Sequence, residues 1–240
     1  MTMRLNSTAP HIYPAARWEE SLSGMDHAFL SRDHQSRITG LALHLTADQQ
    51  PEIGVHRFHP GTSTFTLPTD MLCYFIAGRG VFRRNTGETI AIEPGTVVHF
   101  KQGWDGNAEI TETADATYMR FVGGSSDTTP VLRNPLTASP LKEWGEVSKP
   151  LVGKSRTAGI LLSKEPDGHA ETGIWTCSPG TWRCVVKRDE FCHFIAGSST
   201  YTHDNGEVIE IQPDTLAYFP QGWAGQCEVH ETVRKVYVIR

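Results

Sequence analysis

A chain of 240 residues is long enough for one large or two ordinary domains, with cores that fold without disulfide or metal staples. Hydrophobic residues make up 38% and charged residues 20%, and no apolar run approaches the roughly 18 residues of a membrane span, so a soluble chain with no membrane partner is expected. The formal net charge is −5 with basic residues scattered, which gives no electrostatic footprint for phosphate backbones and speaks against nucleic acid as a partner.

At the amino end, Met1-Thr2-Met3-Arg4 lacks the apolar core and small-residue cleavage site of a secretory signal, so a cytoplasmic protein is expected. Residues 1–35 read as an N-terminal extension, in which Trp18-Glu-Glu-Ser-Leu22 and Asp26-His-Ala-Phe-Leu30 predict a short helix. Beyond it, 22 glycines and 14 prolines punctuate short apolar stretches, the texture of an all-β barrel or sandwich. Cys73, Cys177, Cys184, Cys192 and Cys227 are an odd set without a CxxC pair, which suits reduced, mostly buried thiols.

The segment 36–121 is the first of two copies. Cys73-Tyr-Phe-Ile-Ala-Gly78 recurs as Cys192-His-Phe-Ile-Ala-Gly197, an offset of 119 residues that the rest of the chain keeps. Ser36-Arg37 and Gly40 match Ser155-Arg156 and Gly159, and Pro60-Gly61-Thr62 matches Pro179-Gly180-Thr181. Gln102-Gly103-Trp104 matches Gln221-Gly222-Trp223, and about a third of all positions agree without a gap. A period this long is a domain length and not a solenoid repeat. The organisation read from it is domain 1 at 36–121, a linker at 122–154 containing Gly123-Gly-Ser-Ser-Asp-Thr-Thr-Pro130, and domain 2 at 155–240.

Within domain 2, strands are predicted over 181–186, 190–196 and 199–203, the last meeting Asp204-Asn205-Gly206. Asn205-Gly206 offers the positive backbone dihedrals of a type I′ hairpin turn, and Thr86-Gly87 is its weaker counterpart. The two copies of Gln-Gly-Trp place glycines for a turn beside Trp104 and Trp223, each read either as a cap on the barrel mouth or as a plug in its end.

Each half resembles a cupin, the small jelly-roll barrel whose two motifs bracket a ligand pocket. Glu190 and Gly197 stand at the last positions of the first cupin motif, and Pro220-Gln-Gly222 falls on the PxG of the second. Gly173-Ile-Trp-Thr-Cys-Ser-Pro-Gly180, Asp189-Glu-Phe-Cys-His193, Gly222-Trp-Ala-Gly225 and Arg234-Lys-Val-Tyr-Val-Ile239 together resemble the ureidoglycine-aminohydrolase-like cupins. The resemblance implies an all-β fold of two tandem cupin domains; function must be argued from the site, since one scaffold serves many chemistries.

Against the superfamily pattern, the metal-binding histidines are replaced by Cys184, Val186 and Gly225, and in domain 1 even Glu190 becomes Met71. No cofactor is therefore expected. The alternative is one divalent transition metal, zinc, iron, manganese or nickel, held in domain 2 by Glu190 with Cys184 and His193 or His203. Strand alternation opposes it, because Glu190, Cys192 and Phe194 share one face and His193 lies on the other. In the plainer reading Glu190 binds Arg, Lys or a hydroxyl inside the barrel, and Cys73 and Cys192 are small core residues. His56, His59 and His99 form a weaker set that strand geometry does not bring together.

The expected function is binding of a small molecule, an amino, guanidino or ureido metabolite, at Glu190 with His193, Cys184, Trp182, Tyr218 and Trp223 as lining. The alternatives are a metal-dependent hydrolase of a nitrogenous metabolite using the non-standard domain 2 site, and a structural partner in a larger assembly. Open jelly-roll edges leave room for homo-oligomerisation. Replacing Glu190 with Gln is expected to remove binding and leave folding intact.

Overall fold

The computed structural model describes residues 10–30, 37–45, 52–124, 126–166 and 168–240, the side chains of 26–30 and 52 excepted. Ser36 of the repeat and the side chains of the 26–30 motif lie outside the described residues. In chain order the elements are β1 (His11–Tyr13), α1 (Ala15–Leu30), β2 (Ile38–Leu45), β3 (Glu52–Phe58), β4 (Gly61–Thr66), β5 (Asp70–Arg84), β6 (Thr89–Ile92), β7 (Thr96–Phe100), β8 (Asp105–Phe121) and β9 (Val131–Arg133). There follow β10 (Lys142–Glu146), β11 (Pro150–Val152), β12 (Arg156–Lys164), β13 (Glu171–Cys177), β14 (Gly180–Val185), β15 (Glu190–His203), β16 (Val208–Ile211), β17 (Thr215–Phe219) and β18 (Ala224–Ile239).

The strands form two sheets and two compact units. The first-barrel unit holds α1 to residue 140 together with Leu161–Thr172; the second-barrel unit holds residues 10–14, Leu141–Ile160 and Gly173–Arg240. The 16-residue helix α1 is longer than the short helix expected in the extension. It buries Trp18, Leu22 and Met25, one stripe at helical spacing, and packs against β2 and β3.

Matching strands of the two copies pair alike: β5 with β6, β7 and β8 in the first, β15 with β16, β17 and β18 in the second. Alternation sets the faces, as in Val208-Ile-Glu-Ile211, where Ile209 and Ile211 are buried and their neighbours exposed. One difference from the sequence reading concerns 190–203, a single long strand rather than two. Its register shifts between Phe194 and Ser199, around Gly197 at φ 79°, keep the ladder running while the strand bends. A Cβ at Gly197 would sit 2.3 Å from the Thr232 carbonyl oxygen, and one at Gly78, φ 80°, 2.2 Å from that of Thr113.

The β15–β16 hairpin also departs from the type I′ expectation. The Gly206 amide donates to the His203 carbonyl at 2.9 Å, so the central residues are Asp204 and Asn205, and of the four only Gly206 has positive φ. The first copy closes the same way, Gly87 N to Arg84 O at 2.9 Å, which is why Thr86 is tolerated opposite Asn205.

Candidate functional site

The repeat register allows the two barrel interiors to be compared position by position. In the first, Phe58, Phe65, Phe75, Phe82, Phe100 and Trp104 are all buried and interlock in edge and tilted contacts, with ring centroids as close as 5.0 Å between Phe82 and Phe100. Met71, Cys73, Ala108 and Ala116 belong to the same core. In the second barrel, Phe75, Phe100 and Trp104 recur as Phe194, Phe219 and Trp223. Phe58 and Phe65, however, become Cys177 and Cys184, and Phe82 becomes Tyr201. Met71 becomes Glu190, Ala108 becomes Cys227 and Ala116 becomes Lys235. Three aromatic rings of the first barrel thus give way to two thiols and a phenol, and a methionine and two alanines to an acid, a thiol and a base.

Glu190 opens β15, and Lys235 lies on the adjacent strand β18 opposite Phe194. The Lys235 ammonium donates to Glu190 Oε1 at 2.5 Å and lies 4.5 Å from the centroid of Trp175 and 5.5 Å from that of Phe194. The side chains are 8% and 17% exposed, so this is a buried ion pair with its acid end nearer solvent. Burial alone would lower the ammonium's pKa; the facing Cys192, Glu190 and Tyr201 outweigh it and hold Lys235 well above the ordinary lysine value.

Four thiols surround the pair. Burial, reinforced by the Glu190 charge, pushes Cys192 well up, and burial raises Cys177 to about 11. Cys184 is different: it is half-buried, and its interaction with the Cys227 thiol holds it below the usual value against burial and Glu190. The same contact, followed by burial, drives Cys227 well up. All five cysteines of the chain are free thiols and four are buried.

Of the residues picked from sequence, Glu190, Cys184, Trp182 and Trp223 belong to this interior. Trp104 and Trp223 are fully buried in their cores, with indole nitrogens that have no hydrogen-bond partner among the described residues. Both plug the barrel rather than cap its mouth. His193 and Tyr218 lie on the opposite face of the sheet: His193 Nε2 faces Asp214 Oδ1 at 3.3 Å, and Tyr218 stacks on Phe191 at 4.6 Å. Lys235 was missed, and its signal was weak, because Arg234 and Lys235 are adjacent and either one satisfies alternation.

The donor set does not fit the divalent ion of the cupin pattern. Val186 and Gly225 offer no ligand, and a Cβ at 225 would meet the Thr202 carbonyl oxygen at 2.3 Å. Glu190 is engaged by a buried ammonium whose charge opposes a second cation, and His193 points away. His203 Nδ1 accepts the Asn205 amide at 3.2 Å. Among the described residues no three His, Cys, Asp or Glu side chains group closely enough to hold a metal.

Two other features carry polar groups outside this interior. A groove of about 330 Å³ between Glu143, Arg156, Thr176, Thr232 and Arg234 lies on the outer face of the same unit and does not include the ion pair. In the first-barrel unit, Lys101 bridges Asp70 and Glu165, and His99 Nε2 meets Asp70 Oδ2 at 2.8 Å. Thr172 Oγ1 lies 3.4 Å from His99 Nδ1. A neutral ring donating from Nε2 and accepting from Thr172 satisfies both contacts, in keeping with a pKa that burial pushes down. Every member is buried, so the cluster ties Leu161–Thr172 onto the first barrel rather than serving a ligand. His59, also buried, bonds Thr39 Oγ1 at 3.2 Å, and His56 stacks on Tyr118 at 4.0 Å, so the three histidines serve separate contacts.

The EutQ-like cupin domain model matches residues 164–237, most of the strands that carry the pair. No curated protein matches the chain. A protein of unknown function from Pseudomonas syringae pv. tomato superposes with a TM-score of 0.68 and 13% identity over 87% of this chain and 95% of that one. Ylba from E. coli gives 0.59 and 12% over 85% and 82%. Salicylate 1,2-dioxygenase from Pseudaminobacter salicylatoxidans gives 0.66 and 13% over 100% and 86%. These likenesses establish the fold, a cupin-like jelly roll repeated in tandem. No helix among the described residues is long and apolar enough to cross a membrane.

Proposed function

We propose that the chain binds a small nitrogenous metabolite, an amino, guanidino or ureido compound, inside the second barrel, with the first barrel as a filled scaffold. The observation that carries this reading is the Glu190–Lys235 pair, buried where the first copy has Met71 and Ala116. An ammonium has three donors and a carboxylate about four acceptor positions, so their mutual bond saturates neither. A ureido group matches what remains: its carbonyl accepts from Lys235 while its N–H groups donate to Glu190. The exchange of Phe58 and Phe65 for the smaller Cys177 and Cys184 removes two rings from the interior beside the pair. The resemblance of the sequence motifs to ureidoglycine-aminohydrolase-like cupins supports the same ligand class.

A thermal-shift panel of amino, guanidino and ureido compounds tests the proposal. At least one member is expected to raise the melting temperature of the wild type, since a ligand that binds only the folded state stabilises it. The same compound should leave Glu190→Met/Lys235→Met unmoved. A panel without effect, or equal shifts in both proteins, would overturn it.

A further inference from the structure

Four of the five cysteines lie in the second-barrel unit. In the β14–β18 ladder Trp182 pairs with Cys227 and Cys184 with Gly225, so Cys184 and Cys227 are diagonal neighbours on the inward face. Gly225, directly opposite Cys184, has no side chain to stand between them. Their environments differ. Cys184 is half-buried and next to the exposed Val185 that ends β14, whereas Cys227 is 2% exposed within the core.

We propose that Cys184 and Cys227 form a hydroperoxide-reactive pair in which Cys184 attacks the oxidant and Cys227 resolves the product into a disulfide. The Cys184 thiolate attacks one peroxide oxygen; an S–O bond forms, the O–O bond breaks, and the other oxygen leaves as water or alcohol with the displaced proton. Cys184 is now a sulfenic acid, oxidised by two electrons, and the peroxide is reduced by two. The Cys227 sulfur then attacks the sulfenic sulfur; the S–S bond forms, the S–O bond breaks, and hydroxide leaves as water with the Cys227 proton. Two thiols and one hydroperoxide thus give one disulfide, one water and one water or alcohol.

The division of roles follows from the surroundings. The Cys227 contact, with help from Lys235 and Arg183, favours the thiolate at Cys184, the form that attacks. Cys73, Cys177 and Cys192 are buried with raised pKa values and serve as internal controls. The proposal does not depend on which ligand the barrel takes.

The test treats the reduced, full-length chain with hydrogen peroxide, alkylates the remaining thiols and maps the peptides without reductant. The expected result is loss of alkylation at both Cys184 and Cys227, with their peptides joined about 2 Da below the summed mass and released by dithiothreitol. Cys73, Cys177 and Cys192 should stay alkylated. In Cys227→Ser the reaction should stop at a Cys184 sulfenic acid that dimedone traps. Unchanged alkylation at the two positions, linkage of Cys184 to another thiol, or over-oxidation of wild-type Cys184 without linkage would overturn the proposal.

Discussion

Between Val233 and Tyr237, both buried, Lys235 points inward as they do and carries its ammonium to Glu190. A buried pair of this kind adds little net stability while both partners stand, but removing one strands the other's charge. Glu190→Met is therefore expected to cost about 3 kcal/mol in urea unfolding, whereas Glu190→Met/Lys235→Met should recover most of it. Equal losses in the single and double variants would contradict the pairing. The expectation that Glu190→Gln leaves folding untouched is revised for the same reason, because a neutral amide leaves Lys235 without its counter-charge. At this scale the sequence revealed one half of the pair. Motif spacing marks Glu190 and alternation turns His193 away from it, but nothing local tells which of Arg234 and Lys235 faces inward.

Strands and the positions of turns were more legible, because they depend on glycine positions and alternation, both written in the chain. The departures arise where backbone geometry allows two solutions. Asn205-Gly206 suits a type I′ turn by composition, yet the hairpin uses Asp204 and Asn205 as central residues and needs only Gly206 at positive φ. Lys101 faces Pro220 in the repeat register, so the duplication gives no hint of its bonds to Asp70 and Glu165. In β3, His56 is half-buried on the inward face, and desolvation of its ring, aided by the Arg120 charge, lowers its pKa to about 3. Below pH 6.5 the unfolded chain takes up a proton that folded His56 refuses, so stability is lost as pH falls. The loss is about 1.4 kcal/mol per pH unit. His56→Phe, which keeps a ring against Tyr118, should lose about 2 kcal/mol less than the wild type between pH 6.5 and 5. His99 and His193, also lowered by burial, keep their share in both proteins. Equal losses would mean that His56 is already protonated in the fold.

In the whole molecule, one barrel unit is present twice, and the acid–base pair at Glu190 and Lys235 belongs to the second copy, where the first has Met71 and Ala116. The duplication was legible because offset matches run through the entire unit, and the divergence because Met71 and Phe65 oppose Glu190 and Cys184. The assignment of Leu161–Thr172 to the first-barrel unit and of residues 10–14 to the second was not, since it depends on long-range packing that no repeat match reports. The proposal that the second barrel alone takes a ligand fixes the stoichiometry. Calorimetric titration of the best ureido or amino ligand from the thermal-shift panel tests it most directly. One ligand per chain is expected, with binding lost in Glu190→Met/Lys235→Met; two ligands per chain, or undiminished binding to that variant, would rule the single site out.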